Sequence, residues 1–424
     1  MTIEIVQHSI DMLWVMLGAI LVFFMHAGFA MLETGFTRSK NTLNILMKNF
    51  LTVSLGAVLY FLVGFGFMFG ESFFGAIGTD GFALLGRDDM GFFVFQSVFA
   101  ATCATIISGA VAERMKLSSY LLLVVVMTGI IYPVVGHWIW GGGWLAKLGF
   151  IDFAGSTVVH LTGAIGAFVA AALLGPRLGK YSNGKVNVIP GHSIPLGALG
   201  VFVLWVGWFG FNGASTLAAD PTLVPQIIAN TLFAASAGVL STAFYTKLRF
   251  KKLDASLTLN GALAGLVSIT AGAANVSLIS SILIGLLAGI IMTEGVRFLD
   301  VILKVDDPVG AIAVHGITGI WGTLAVGLFE TSSGLLVGGG ASLIVVQILG
   351  ILAVIVWVSV TVSGFLLIVK AFSPIRVSNE EEIAGLDFVE HGSQAYELND
   401  VFPGISTKTE GFAQRLTELG KATN

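Results

Sequence analysis

The chain has 424 residues, 55% hydrophobic and only 11% charged, with a mean hydropathy of +0.91. That charge fraction is far below the roughly 25% of soluble domains and excludes an ordinary soluble protein. A net charge of −4 with no basic stripe leaves no footprint for nucleic acid, and one cysteine, Cys103, allows neither an intrachain disulfide nor a thiol metal centre.

Residues 1–11, MTIEIVQHSID, lack the basic start of a signal peptide, so the first apolar segment is expected to remain as helix one. In chain order, apolar stretches at 10–33, 43–69, 91–113, 119–139, 152–175, 193–216, 222–246, 257–273, 277–299, 308–328 and 340–370 each predict a membrane span. The fold class is therefore an all-α integral membrane protein with eleven transmembrane helices. Fifty-four glycines against nine prolines suit helices that pack closely in a bilayer. With the N-terminus outside, all 21 Lys and Arg except Arg87 and Lys147 fall on the inner side, which reads as N-out, C-in.

His160 and His315 each lie eight residues after an aspartate, Asp152 and Asp307, inside segments otherwise apolar enough to span. Both segments continue into a Thr-Gly-x-x-Gly step, Thr162-Gly163-Ala-Ile-Gly166 and Thr318-Gly319-Ile-Trp-Gly322. A helix begun at each aspartate would carry the imidazole about 12 Å inward, near the middle of a core about 30 Å thick. Ionisable groups at that depth are costly and mark functional sites. The two motifs fall in spans five and ten. With an odd number of spans per half, this predicts an inverted five-plus-five repeat over about 10–175 and 193–328, with span 340–370 as a brace. Residues 1–371 then form the membrane domain and 372–424 a cytoplasmic tail. Imidazoles bonded to nearby backbone, or a bis-histidine haem, are the competing readings of the pair.

On the outer side lie Trp140-Gly-Gly-Gly-Trp144, the run Gly207-Trp208-Phe209-Gly210-Phe211-Asn212-Gly-Ala-Ser215, and Phe95-Gln96-Ser97-Val98-Phe99. Aromatic faces attract cations, by about 0.5–1 kcal/mol when exposed and about 2 or more when desolvated. A hydroxyl such as Ser215 accepts from an N–H donor. An interfacial aromatic belt would also explain Trp138, Trp140 and Trp144. Further in, almost no carboxylate is placed to solvate an ion: Glu113, Asp152 and Asp307 are all near helix ends. A permanent cation would face an idealised desolvation cost of order 20 kcal/mol. An amine can instead shed its proton for about 4 kcal/mol on the lysine scale. The pattern thus favours a small weak base over Na⁺ or K⁺, which need an oxygen cage.

The segments FQSVFA, AERMK, WGGGWL, DFAGSTVVH, GWFGFNGAS and DDPVGAIAVHGITGIWG, in that order, resemble the ammonium transporter family (Amt/Mep/Rh), on its Amt branch. The resemblance runs from about Arg38 to Tyr396. It implies that Phe99 and Phe211 form a stacked phenyl gate, and that Trp140 and Ser215, with Trp208 beside them, recruit ammonium outside. It implies Asp152 below that site as a residue needed for transport, and His160 and His315 as hydrogen-bonded imidazoles lining the pore. Tyr132 matches a tyrosine of the outer vestibule. The expected activity is passage of ammonium across the cell membrane as NH3, with or without its proton, by a homotrimer with one pore per subunit. No cofactor or metal is expected. An ammonium sensor that passes little substrate is the alternative.

From Phe372 the composition turns polar, and Glu380-Glu381-Glu382 opens IAGLDFVEHGSQAYEL. The family's similar tail packs beneath the pores of neighbouring subunits and, in many prokaryotic members, helps dock a PII-type signalling protein. Ile375, where glycine is common, and Ser393, where an acidic residue usually follows His-Gly, depart from that pattern. Residues 397–424, with the amphipathic stretch 411–419, are expected to be partly disordered or to contact the trimer.

Overall fold

The structure, a computed structural model, describes residues 2–396. Ten helices among them are long and apolar enough to cross a bilayer: α1 (Ile3–Phe36), α2 (Ser39–Phe69), α3 (Met90–Ala110), α4 (Leu117–Lys147), α5 (Ser156–Leu174), α6 (Ile194–Thr216), α7 (Leu223–Phe250), α9 (Leu278–Leu303), α10 (Ile312–Phe329) and α11 (Ser342–Phe372). The predicted span at 257–273 is α8 (Ala255–Thr270), 16 residues that rise only about 24 Å. Its length falls below that of a standard span because the chain leaves the helix at a tight turn over 271–275. Two short hairpins, Ser72–Phe73 with Ile77–Gly78 and Tyr181–Ser182 with Lys185–Val186, lie in connections outside the spans. The expectations for residues 397–424 lie outside the described residues.

Side-chain caps start several of these helices. Thr2, Ser193, Asp254 and Ser277 accept from the backbone N–H groups of Ile5, Leu196, Leu257 and Ser280. Small residues then set how closely the helices cross. A Cβ on Gly35 would overlap the backbone of Gly197, and one on Gly200 the backbone of Gly28 and Leu32, so α1 and α6 pack backbone to backbone. Large apolar side chains left exposed on the outer faces, such as Phe202, Phe244 and Ile279, suit contact with lipid rather than water.

One face carries a buried ionic lattice that ties the loop ends together; it is called the tail side below. Glu113 pairs with Arg38 and, at 3.5 Å, with Arg177. Arg177 holds Asp306 at 2.8 Å, and Arg114 donates to the carbonyls of Gly175 at 2.8 Å and Asp306 at 2.7 Å. The tail joins this lattice on its own chain: Arg376 donates to Leu174 O at 2.8 Å and pairs with Glu382 at 2.6 Å. Glu390 accepts from Leu117 N, Asp387 from Asn44 N, and Lys40 donates to the Glu382 carbonyl. Ile375, one of the two unusual positions, is buried and accepts from Lys116 N, so the larger side chain is accommodated. Lys48 is fully buried within α2.

Burial alone would raise the Asp306 carboxyl, but the hydrogen bonds and charge of Arg177, with Arg114, hold it down at about 2. Such a depressed carboxylate contributes stability above its unfolded value of about 3.9 and loses it as pH falls through about 2. The shift corresponds to about 2–3 kcal/mol. Asp306→Asn is therefore expected to lower the unfolding midpoint at neutral pH. The gap from the wild type should close toward pH 2, as thermal unfolding across that range will show. A gap unchanged with pH would mean the carboxylate is not what the lattice uses.

Candidate functional site

Five segments build the site: the half of α3 away from the tail side, the end of α4 with the α4–α5 connection, the end of α6, the first turn of α5 and the first turn of α10. Opposite the tail side, a cavity of about 300 Å³ opens between Phe92, Gln96, Phe99, Trp140, Phe153 and Ser215. Trp140 is fixed there because its indole N–H donates to the Asp152 carbonyl at 2.7 Å. The Ser215 hydroxyl donates to Phe211 O at 2.7 Å, which leaves its lone pairs free to accept from an N–H donor.

Phe99 and Phe211 close the floor of this vestibule, their rings stacked with centroids 4.1 Å apart. Phe99 also meets Trp140 edge to face at 6.3 Å. Below the rings comes His160, stacked 5.4 Å from Phe211 and 5.1 Å from His315. The two imidazoles face each other Nδ1 to Nδ1 at 3.2 Å. Such a contact requires one Nδ1 to carry the proton and the other its lone pair, so the rings are complementary tautomers.

The first turns of α5 and α10 are built alike. Asp152 accepts from the N–H of Gly155, Thr157 and Val158, and Asp307 from those of Val309, Gly310 and Ile312. The third residue after each aspartate is a glycine with positive φ, 113° at Gly155 and 79° at Gly310, a conformation that favours residues without a Cβ. Wide π-helical turns then run over Ser156–Leu161 and Ile312–Ile317 and present the two histidines. This corrects the depth argument. The helices begin only after the glycines, so a capping turn precedes each helix and the eight-residue rise of about 12 Å does not apply.

The remaining expected residues are placed as follows. Trp208 is fully buried, donates to Thr270 Oγ1 at 2.8 Å and stacks on His160 at 5.0 Å. It flanks the histidines rather than the vestibule. Tyr132 is buried against Tyr60, 6.3 Å between rings, and is not among the residues lining the vestibule. His26, in α1, has neither ring nitrogen bonded among the described residues. His137 is buried between Met68 O at 2.9 Å and Ser72 Oγ at 2.8 Å. Phe92 and Phe153 of the vestibule were missed; Phe153 carries a signal in directly following Asp152. Glu33 was missed as well: a carboxylate does lie inside a span, buried at the tail end of α1.

Many apolar helices surrounding a narrow aromatic and imidazole lane are the architecture of a multi-pass membrane transporter or channel. The model of the Ammonium Transporter Family matches residues 13–396, and the chain belongs to that family. It is 44% identical to ammonium transporter Amt2 of Archaeoglobus fulgidus over 413 residues, covering 91% of this chain and 88% of that protein. It is 37% identical to ammonium transporter 1 member 3 of Solanum lycopersicum, covering 93% and 94%. Among solved structures, one described as a sensor Amt protein superposes with a TM-score of 0.89 at 41% identity, covering 92% of this chain and all of that one. Mep2 of Candida albicans superposes with a TM-score of 0.82 at 29% identity, covering 92% and 91%. The family supports ammonium as the substrate.

Proposed function

We propose that ammonium pauses in the aromatic vestibule against Trp140, Phe99 and Ser215, loses its proton near Asp152, and moves as NH3 past the Phe99–Phe211 gate and along His160 and His315. The observation that carries this reading is the Nδ1-to-Nδ1 pair directly beneath the stacked rings. Neutral imidazoles in an apolar lane cannot replace the water shell of Na⁺ or K⁺, whereas NH3 needs only a hydrogen-bond partner. The proton either returns outside, giving neutral conduction, or follows the imidazoles, giving net charge transfer.

In this reading the chain crosses the membrane eleven times as an inverted repeat, with α8 as the short span. Its close approaches to α7 at Gly238–Gly261 and Gly265–Ala234 support that role, and the matching starts of α5 and α10 support the repeat. The bias of Lys and Arg favours N-out, C-in in the cell membrane. The protein then works as a homotrimer. Residues 372–424 act as a cytoplasmic regulatory tail and a docking surface for a PII-type partner. Likeness to the sensor Amt protein favours one second reading, a sensor that binds ammonium, passes little of it and signals through the tail.

An NH4⁺ pulse onto purified protein in liposomes, with Na⁺ and K⁺ pulses as controls, tests the proposal. A transient current specific to NH4⁺, or internal alkalinisation without current, is expected. Neither response would leave sensing as the function.

A further inference from the structure

On the tail side of the histidine pair is a second, much smaller cavity of about 10 Å³, room for about one water-sized molecule. Phe29, Glu33, Asn260 and His315 line it. Its polar groups are incompletely satisfied, and two of its oxygens, on Glu33 and Asn260, have no donor among the described residues. Glu33 Oε2 accepts from Asn49 Nδ2 at 3.1 Å and Ser108 Oγ at 2.7 Å, while Oε1 has no hydrogen bond among the described residues. Asn260 spends its amide N–H on Val309 O at 2.9 Å, and its Oδ1 is buried with no partner. His315 has Nδ1 committed to His160, so Nε2 is the only ring nitrogen it has left to offer.

Lys48 does not neutralise the carboxylate directly. Its ammonium donates to Ser108 O at 3.2 Å, lies 5.3 Å over the Tyr120 ring and forms no ion pair with Glu33 among the described residues. A buried carboxylate with a free oxygen, an amide oxygen without a donor, an imidazole nitrogen and an aromatic ring surround a space for one small molecule. A water has two hydrogens to give; ammonium has four and a charge to match the carboxylate. The aromatic Phe29 repeats the cation-binding element of the outer vestibule.

We infer that Glu33, Asn260 and His315 form a second ammonium site on the tail side of the pore. There, ammonia leaving the imidazoles takes up a proton: an N–H bond forms on its lone pair as an O–H bond of a tail-side water breaks, hydroxide leaves into the tail-side solvent, and the resulting ammonium rests against the Glu33 carboxylate before it leaves. The inference rests on the pore reading proposed above. In the reverse direction the same site recruits ammonium, so its loss has a sided effect.

Vesicles of each orientation, loaded by ammonium from one side at a time, separate the two sites. Glu33→Gln keeps an oxygen for Asn49 and Ser108 but removes the charge. It is expected to raise the half-saturating ammonium concentration about tenfold for flux begun on the tail side. Half-saturation from the vestibule side should stay within about twofold of wild type. Equal shifts from both sides, or none, would overturn the site. Wild-type vesicles passing no ammonium from either side would instead sink the pore reading, and this site with it. Crystals of the wild-type chain soaked in thallous ion, ammonium's counterpart in size and charge, decide the matter independently should Glu33→Gln fail to assemble. Anomalous density against Glu33 Oε1 is expected, and its absence overturns the site.

Discussion

Asp152→Ala is expected to abolish ammonium flux, by at least about a hundredfold, in a protein that still assembles. The carboxylate is the acceptor for three backbone N–H groups, those of Gly155, Thr157 and Val158. Alanine strands all three at the buried start of α5, each at a cost of about 1–3 kcal/mol unless water enters. The turn that presents His160 would then loosen, and the Trp140 indole that leans on the Asp152 carbonyl would shift with it. Asp152→Asn separates the two contributions, because one amide oxygen can keep part of the cap while the charge is gone. Flux into liposomes and thermal midpoints, read together, give the answer. A lost flux with a modest midpoint change in the asparagine variant assigns the role to charge. Flux of wild-type size in either variant removes Asp152 from the scheme.

His160→Ala should injure selectivity or proton handling far more than folding. The ring is sandwiched between Trp208 and His315 and capped by Phe211, so its removal opens a void in the lane and leaves His315 Nδ1 without its partner. A void beside an imidazole edge is polar enough to take water, and a hydrated lane admits ions that a dry one rejects. The expected outcome is a fall of about tenfold or more in the preference for NH4⁺ over K⁺, measured as a current ratio in liposomes. A variant that merely fails to assemble would mark the histidine as structural.

The spans were legible because runs of about 20 apolar residues have few other uses. The exception is instructive: α8 read as a full span from its composition, but the tight turn at 271–275 ends it early. The paired histidines were legible from spacing, yet their depth was not, since nothing in an Asp-x7-His count reveals that a capping turn and a π-helical turn replace regular helix. Trp208 was placed beside the outer site by the family resemblance. On a helix, residues three or four apart share a face, and Trp208 shares that of Phe211 and stacks on His160 instead. Glu33 was visible all along as a carboxylate in AMLETGF at the end of an apolar run. It escaped notice because no recurring spacing drew attention to it, and its partners Asn49, Ser108 and Asn260 come from three other helices.

The π-helical starts of α5 and α10 make the lane depend on residue count. Between Gly155 and Thr162 the chain holds a fixed number of positions in a wide turn anchored at one end by Asp152 and at the other by regular helix. Deleting a single residue there would let the turn relax to ordinary α-helix and swing His160 about 100° around the axis, away from His315. A conservative exchange in that stretch leaves the imidazole where it was. A deletion, even of an apolar residue that touches nothing in the lane, turns it to face the packing instead.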